Sequence, residues 1–487
     1  MNTPLRKVGM AMLVMIVLLL ANDTYIQVIK ADDYRTDSRN QRVLYDEYSR
    51  QRGQIVAPDG TVLAGVQAAN DKFKFTRTYT DGPMYAPVTG FYSINYGAGG
   101  LERTEDDVLN GSDPRLFVRR LSDMITGRDP RGGNVKLTID PKVQKAAYDL
   151  MTQRGYTGAV VAMEPKTGRI LAMVSTPSYD PNKLAVHTQS QTTAYTQYSQ
   201  DPKNPMLNRA ISETYPPGST FKLVTGAAAL ADGIAPDAPV SNAPNVKLPG
   251  TNQTLENYGG ETCPGSTFKE ALAHSCNVPF ATFAGQLGAD KMKATAANFG
   301  IGQTALTVPM KVATSTVGAL DSQGALYQSG IGQRDVRITP LQDCILSATV
   351  ANGGMAMKPQ LVQSILAPDL STISDTEPEE LTGTPALSGA NAQIMTDMML
   401  SSEQFTAGGG KDPALKIASK TGTAEHGTDS KNTPPHAWYT AFAPSDNPQI
   451  AVSVIVESGG NRGLAATGGS VAAEIGRAAI AAHLGGG

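Results

Sequence analysis

The chain has 487 residues, room for about two to four domains of ordinary size. Lys+Arg of 41 against Asp+Glu of 44 leaves a net charge of -3, without the basic footprint of a nucleic-acid binder, so nucleic acid is excluded as a partner. With 40% hydrophobic and 17% charged residues the chain is too apolar for disorder, and its cysteines (Cys263, Cys276, Cys344) and 5 histidines show no ligand spacing, so no metal or other cofactor is expected.

The one long apolar run comes first. Arg6-Lys7 is followed by uncharged residues 8–21 and then Asn22-Asp23. That run is shorter than the ~20 residues of a typical span, but Ile26, Val28 and Ile29 extend it if Asn22 and Asp23 lie near the outer interface. Ala21 is the only small residue where a signal peptidase would need two, so residues 1–31 read as a retained signal-anchor rather than a cleaved signal peptide. The basic pair places the N-terminus in the cytoplasm and the remainder outside, making this a single-pass membrane protein.

Residues 32–139 read as a small β-rich or irregular unit, with strand-like pieces at 54–56 and 72–75 and alternation at 135–139. Asp140-Pro141, an N-cap followed by proline at the first helical position, opens a linking helix within 140–157. From residue 158 a larger unit begins. Apolar runs at 159–163 and 170–174 flank a Pro/Gly turn and predict a hairpin. Residues 188–205, dense in Gln, Ser, Thr and Asn, read as loop. An apolar helix is expected over 219–231, an acidic loop at 375–380 and a helix at 391–401. Strands at 416–420, 437–443 and 449–456 then lead to an Ala-rich helix at 470–484. Strands and helices in such blocks predict an α+β fold with an antiparallel sheet packed on helices.

The chemistry starts from a serine with a lysine three residues later. On a helix this places a hydroxyl beside an amine, and a lysine whose pKa is lowered by burial can act as base without any histidine. The pattern occurs twice in near-identical form, Pro217-Gly-Ser219-Thr-Phe-Lys222 and Pro264-Gly-Ser266-Thr-Phe-Lys269. Serine enzymes that recognise penicillin carry Ser-x-x-Lys, then Ser-x-Asn, then Lys-Thr-Gly, so chain order can choose between the copies. Lys166-Thr167-Gly168 precedes both serines and falls in the hairpin turn, whereas Lys420-Thr421-Gly422 continues a strand and is followed by Thr423. Ser-x-Asn occurs at Ser38, Ser93, Ser275 and Ser430, and only Ser275-Cys276-Asn277 lies between a serine candidate and Lys420. Thr267 with Glu270 forms a capping box, which explains Ser266 and Lys269 as helix-start residues. Ser219 and Lys222 remain as the reactive pair. Cys276 reads as a packed residue rather than a nucleophile, and whether it pairs with Cys263 or stays reduced is open.

Ser219-Thr-Phe-Lys222, Ser275-Cys-Asn277 and Lys420-Thr-Gly-Thr423 together resemble the signatures of the penicillin-binding transpeptidases. The resemblance extends to Asn208-Arg-Ala210, Tyr215-Pro-Pro-Gly218, Gly330-Ile-Gly-Gln333, Thr339-Pro-Leu-Gln342 and His436-Ala-Trp-Tyr439. Before residue 150, Arg52-Gly-Gln-Ile55, Gly100-Leu-Glu102 and Leu137-Thr-Ile-Asp140 are similar to the pedestal of the class B penicillin-binding proteins. Arg39-Asn-Gln-Arg42 with Gln51-Arg-Gly53 is most similar to actinobacterial members.

The resemblance implies a β-rich pedestal, a dimerisation-type domain, followed by a transpeptidase domain with a five-stranded antiparallel sheet between helices. Ser219 would attack a peptidoglycan stem ending in D-Ala-D-Ala and Lys222 would take its proton. The oxyanion hole would be the backbone N–H groups of Ser219 and Thr423. Ser275 would relay a proton to the leaving amine, Asn277 would bind the substrate backbone, and Lys420, Thr421, Gly422 and Thr423 would hold its carboxylate. A neighbouring strand's amine would complete the cross-link, β-lactams would acylate Ser219, and a SEDS-type membrane glycosyltransferase would be a partner. The competing readings are a D-Ala-D-Ala carboxypeptidase or β-lactamase, and a catalytically silent cell-wall scaffold.

Overall fold

The structure is a computed structural model that describes residues 2–30, 48–117, 131–430 and 432–485. Arg39 to Arg42, part of the resemblance above, lie outside the described residues. Helix α1 (Asn2–Thr24) runs through Asn22 and Asp23 and continues as a π-helical turn to Ile29. Residues Thr3–Ile29, with an 18-residue stretch of mean hydropathy 1.9, form a helix long and apolar enough to serve as a single-pass membrane anchor.

Two sheets organise the rest. The first contains β1 (Ile55–Val56), β2 (Val62–Ala68), β3 (Phe75–Tyr79) and β4 (Asn134–Leu137). The helix α2 (Gly82–Thr89) follows β3. After β4, Asp140 accepts a hydrogen bond from the Lys142 N–H and caps α3 (Pro141–Gln153), as the Asp-Pro pair predicts. The hairpin β5 (Gly158–Met163) and β6 (Ile170–Thr176) comes next, with Thr167 of its turn bonded to Glu164.

Residues 188–205 are not simply loop, because α4 (Ser190–Gln200) occupies most of them. Its composition is polar, but Ala194 is buried with Ala86, Tyr179 and Leu184, so tertiary contact supplies what propensity lacks. Beyond it lie α5 (Lys222–Ala231), α6 (Phe268–Ala273), α7 (Asn277–Asn298) and α8 (Pro340–Ala351). The chain then forms β7 (Val362–Leu366), β8 (Thr372–Asp375) and α9 (Gly389–Phe405). It closes with β9 (Ala418–Ala424), β10 (His436–Ala443), β11 (Ile450–Val456) and α10 (Ala473–Leu484).

The second sheet is five-stranded and antiparallel in the order β9-β10-β11-β5-β6. Apolar side chains stand on both faces of its central strands, and helices cover both. Val160, Tyr439 and Val452 pack with residues of α3 and α10, while Val161, Trp438 and Phe442 belong to the core shared with α5 and α8. The first sheet has the order β8-β7-β4-β1-β2-β3, so the pedestal region borrows two strands from far along the chain. The expected unit at 32–139 therefore does not complete its own sheet. Pairing between β4 and β7 joins segments more than 200 residues apart, which no local pattern can report.

The core of this pedestal is a buried charge cluster. Glu102, fully buried, accepts from Arg52 Nε at 2.7 Å and from Arg77 Nε at 2.6 Å, and Arg52 also reaches Asp106 at 2.6 Å. Burial alone pushes the Glu102 carboxyl up, but Arg77 and Arg52 overcome this and hold it below the usual range. Its contribution is thus present at neutral pH and is lost as pH falls through that lowered value. Glu102→Gln is expected to lower the unfolding free energy by about 3–5 kcal/mol, since it leaves the buried Arg77 without a carboxylate and Arg52 with Asp106 alone. A urea melt with an unchanged midpoint would show that the cluster contributes nothing.

Candidate active site

Ser219 sits in a 3-10 turn, Gly218–Phe221, that leads directly into α5. Neighbours hold this turn from several sides. The Trp438 indole N–H donates to the Pro216 carbonyl at 3.0 Å, and the Gly218 N–H donates to the Gly332 carbonyl at 2.9 Å. Gly332 has φ +73, and a Cβ there would stand 2.1 Å from the Gly218 carbonyl oxygen, so only glycine fits. On the other side Gly422 of β9 approaches so closely that a Cβ would lie 2.7 Å from the Pro217 carbonyl oxygen. The glycine of Lys420-Thr421-Gly422 thus lets the Ser219 turn lie against the strand.

Strand β9 is an edge strand, paired only with β10 in its sheet. Lys420 is fully buried while Thr421 and Thr423 are half-buried, placing their hydroxyls where a substrate can reach them. Behind the strand, Glu403 accepts from the Ser419 hydroxyl, from Tyr439 Oη at 3.1 Å and from Arg477 Nε at 2.7 Å, fixing β9 to α9 and α10.

The second signature lies between α6 and α7. The Thr267–Glu270 capping box is present, Ser266 and Lys269 are exposed, and the Ser266 backbone N–H and hydroxyl both donate to Glu270. This copy of the motif is a helix start. Ser275 follows α6 in a left-handed conformation, φ +60, and Asn277 opens α7 rather than ending a helix.

These elements converge on one hydroxyl. Lys420 Nζ donates to Ser275 Oγ at 2.7 Å, and Lys222 Nζ lies 3.5 Å from the same oxygen. Lys222 also donates to the Ser275 carbonyl at 2.6 Å and to Asn277 Oδ1 at 2.8 Å. The Ser219 hydroxyl itself makes no hydrogen bond among the described residues, and the Lys222 amine is held by the Ser-x-Asn motif. Asn277 Nδ2 donates to the Glu256 carbonyl at 2.8 Å, so both ends of that amide are engaged. Burial, and then the neighbouring Lys420, push the Lys222 amine well below its usual value. Burial brings Lys420 down to about 7. Lys420 is therefore poised for proton exchange near neutral pH, and Lys222 is biased toward its neutral, proton-accepting form.

Two supports of the Ser-x-Asn motif had no clear signal in the sequence. Asn257, in a polar loop, accepts from the N–H groups of Asn277 at 2.8 Å and Val278 at 3.1 Å. Cys263 and Cys276 form a disulfide across a sequence separation of 13, tying the loop ahead of α6 to the residue between Ser275 and Asn277. Cys263→Ser is expected to lower stability by about 2–4 kcal/mol and to slow acylation. Thermal melts paired with penicillin-labelling rates measure both, and an unchanged labelling rate would separate the bridge from the site.

The fold, with an edge strand beside a serine turn and two buried lysines around a shared hydroxyl, defines a class of acyl-transferring serine enzyme. The chain belongs to the penicillin-binding protein family: residues 158–481 match its transpeptidase domain, and residues 52–135 match the penicillin-binding protein A dimerisation domain. It is 56% identical to the peptidoglycan D,D-transpeptidase PbpA of Mycolicibacterium smegmatis, covering 99% of both chains. It is 51% identical to PbpA of Mycobacterium tuberculosis, again covering 99% of both. A solved structure of penicillin-binding protein A from M. tuberculosis, a ceftriaxone acyl-enzyme complex, superimposes with a TM-score of 0.88 at 50% identity, covering 90% of this chain and 100% of that one.

Proposed function

We propose that the chain is a peptidoglycan D,D-transpeptidase. The observation that carries this reading is the Ser275 hydroxyl, placed between the amines of Lys222 and Lys420 beside the Ser219 turn. Ser219 Oγ attacks the carbonyl carbon of the penultimate D-Ala, and Lys222 Nζ accepts its proton. The oxyanion is held by the backbone N–H groups of Ser219 and Thr423 at the start of a helix. The C–N bond then breaks, and Ser275 Oγ passes a proton from the lysines to the departing D-Ala amine. Lys420 draws the substrate carboxylate to the hydroxyls of Thr421 and Thr423, with Gly422 admitting close approach. Asn277 contributes its amide to the substrate backbone as well as to Lys222. An amine from a neighbouring stem opens the ester, forming the cross-link and returning a proton to Ser219.

β-Lactams present the same carboxylate and carbonyl and acylate Ser219. The acyl-enzyme form of the M. tuberculosis relative supports this. Residues 1–31 anchor the chain with its N-terminus in the cytoplasm, 32–139 form the pedestal, 140–157 link, and 158–487 catalyse outside the membrane. A SEDS-type glycosyltransferase beside the anchor fits this arrangement. The test is product analysis with purified full-length protein, a pentapeptide donor and an amine acceptor. A cross-linked dimer with released D-Ala is expected. D-Ala without dimer would indicate a hydrolase, and failure of labelled penicillin to modify the protein would indicate a silent scaffold.

A further inference from the structure

The two backbone N–H groups of the oxyanion hole in this mechanism belong to different segments, Ser219 to the 3-10 turn and Thr423 to the edge strand β9. The segments meet one residue before Ser219, where a Cβ on Gly218 would stand 2.7 Å from the Thr423 carbonyl oxygen. Sheet pairing holds β9 from the β10 side alone.

A third segment reaches both. Gly330-Ile-Gly-Gln333 follows the short helix Gln323–Ser329, and its Gly332 carbonyl accepts from the Gly218 N–H at 2.9 Å. One residue on, the Gln333 side chain meets the Glu425 peptide with both ends of its amide. In the orientation where each atom faces its complement, Nε2 donates to the Glu425 carbonyl at 3.3 Å and Oε1 accepts from the Glu425 N–H at 3.2 Å. Glu425 stands two residues beyond Thr423, just past the end of β9, and its own side chain is exposed. The contact is therefore to the backbone that continues the strand.

The segment is itself anchored. The buried Thr225 hydroxyl of α5 donates to the Gly330 carbonyl at 2.8 Å, and the N–H groups of Gly332 and Gln333 donate to the Ser329 and Gln328 carbonyls at 2.9 and 3.1 Å. Farther on, Ile338 and Tyr215 exchange both backbone hydrogen bonds at 2.9 Å, gripping the approach to the Ser219 turn a second time. Two parallel bonds fix orientation as well as distance. A half-buried neutral pair adds little to stability, so what the Gln333 amide supplies is alignment.

We propose that Gln333 is a positioning residue for the oxyanion hole: with the Gly332 carbonyl on the Ser219 turn and its own amide on the end of β9, it sets the spacing and direction of the Ser219 and Thr423 N–H groups. This rests on the reading of Ser219 as nucleophile and of those two N–H groups as the oxyanion hole. Donors of this kind act at about 2.7–3.1 Å from the developing charge, and losing one costs about 10²–10³ in rate. A small displacement of Thr423 is then enough to slow acylation.

The experiment combines two measurements on the full-length protein. Stopped-flow acylation by a fluorescent penicillin separates the dissociation constant of the initial complex from the rate at saturation, and difference infrared spectroscopy reads the ester carbonyl of the trapped acyl-enzyme. Gln333→Met keeps the length of the side chain and removes both bonds. It is expected to lower the saturating rate by about tenfold or more, with the dissociation constant within about twofold of wild type. The ester carbonyl should move to higher frequency, because weaker hydrogen bonds leave the C=O bond stiffer. Gln333→Glu keeps the acceptor for the Glu425 N–H and should lose less on both readouts. A saturating rate within about twofold of wild type in Gln333→Met would overturn the proposal. So would a slower rate with an unshifted carbonyl, or a loss that is equal in both variants and follows their melting temperatures. If Gln333→Met does not fold, Gln333→Glu decides, and a wild-type rate and frequency in it overturn the positioning role. The wild type tests the underlying reading separately: no adduct on Ser219 would overturn that assignment and the proposal with it. An ester carbonyl at the same frequency in the folded and the denatured wild-type adduct would overturn the oxyanion hole.

Discussion

Ser219→Ala is expected to abolish covalent modification by labelled penicillin, while Ser266→Ala keeps the wild-type rate. The two serines share the same five neighbours in sequence, so any difference comes from what the fold places around them. Ser266 is exposed and its backbone N–H and hydroxyl are turned to Glu270, with no lysine amine held beside it. Ser219 enters α5 beside β9, where Lys222 is fully buried and fixed by Ser275 and Asn277. Removing the nucleophile of a serine acyl-transfer site costs on the order of 10⁴–10⁶ in rate, which would leave no detectable adduct. Intact-mass measurement followed by peptide mapping checks both variants at once. An adduct retained by Ser219→Ala, or lost in Ser266→Ala, would reverse the choice between the two copies.

Loss of the base should be nearly as severe. Lys222→Met is expected to slow acylation by about 10²–10⁴-fold, the usual contribution of a positioned proton acceptor. The same change should not destabilise the fold. The Lys222 amine is pushed well below its usual value, first by burial and then by Lys420, so the unfolded chain binds its proton more tightly than the folded one. Wild-type stability therefore rises as pH increases from the lowered folded value toward the unfolded value, and below that window the lysine opposes folding. Methionine removes this penalty, and its melting temperature should equal or exceed that of the wild type at neutral pH. Activity should follow pH with two limbs. Neutral Lys222 is needed to accept the proton, so acylation falls on the acid side. Charged Lys420 is needed for the carboxylate and titrates at about 7 in the free protein, so acylation falls on the alkaline side. The two amines face one hydroxyl, and the apparent values belong to the pair. A flat profile from pH 5 to 9, measured with a β-lactam whose carboxylate stays ionised throughout, would contradict this account.

Most of the catalytic half was legible before any coordinates. The hairpin β5–β6, the strands β9 to β11 and the terminal helix follow from apolar runs between turn residues, signals that act over a few positions. Motif order separated Ser219 from Ser266 because the capping box at Thr267 already explained the second copy, and that box is present. The residues of α4 favour loops locally, and it is Ala86, Tyr179 and Leu184, brought to it by the fold, that bury Ala194. The status of Cys263 and Cys276 was open for a similar reason: a pairing depends on the distance between two loops, which the spacing of cysteines along a chain does not report.

The sequence by itself determined the apolar N-terminal helix, the class of fold, the three signatures and the capping box that makes Ser266 part of a helix start. Each of these rests on patterns spanning a turn, a helix face or a short strand, where chain connectivity enforces proximity. Only the tertiary structure decided that the pedestal sheet is finished by β7 and β8, and that Ser275 Oγ is shared by two lysines. It alone paired the buried Asp343 of α8 with Ser453 of β11. These are contacts between residues far apart in the chain. They form where burial of the two core faces drives the layers together, and the polar groups caught between those layers must find partners in whatever segment the packing brings to them.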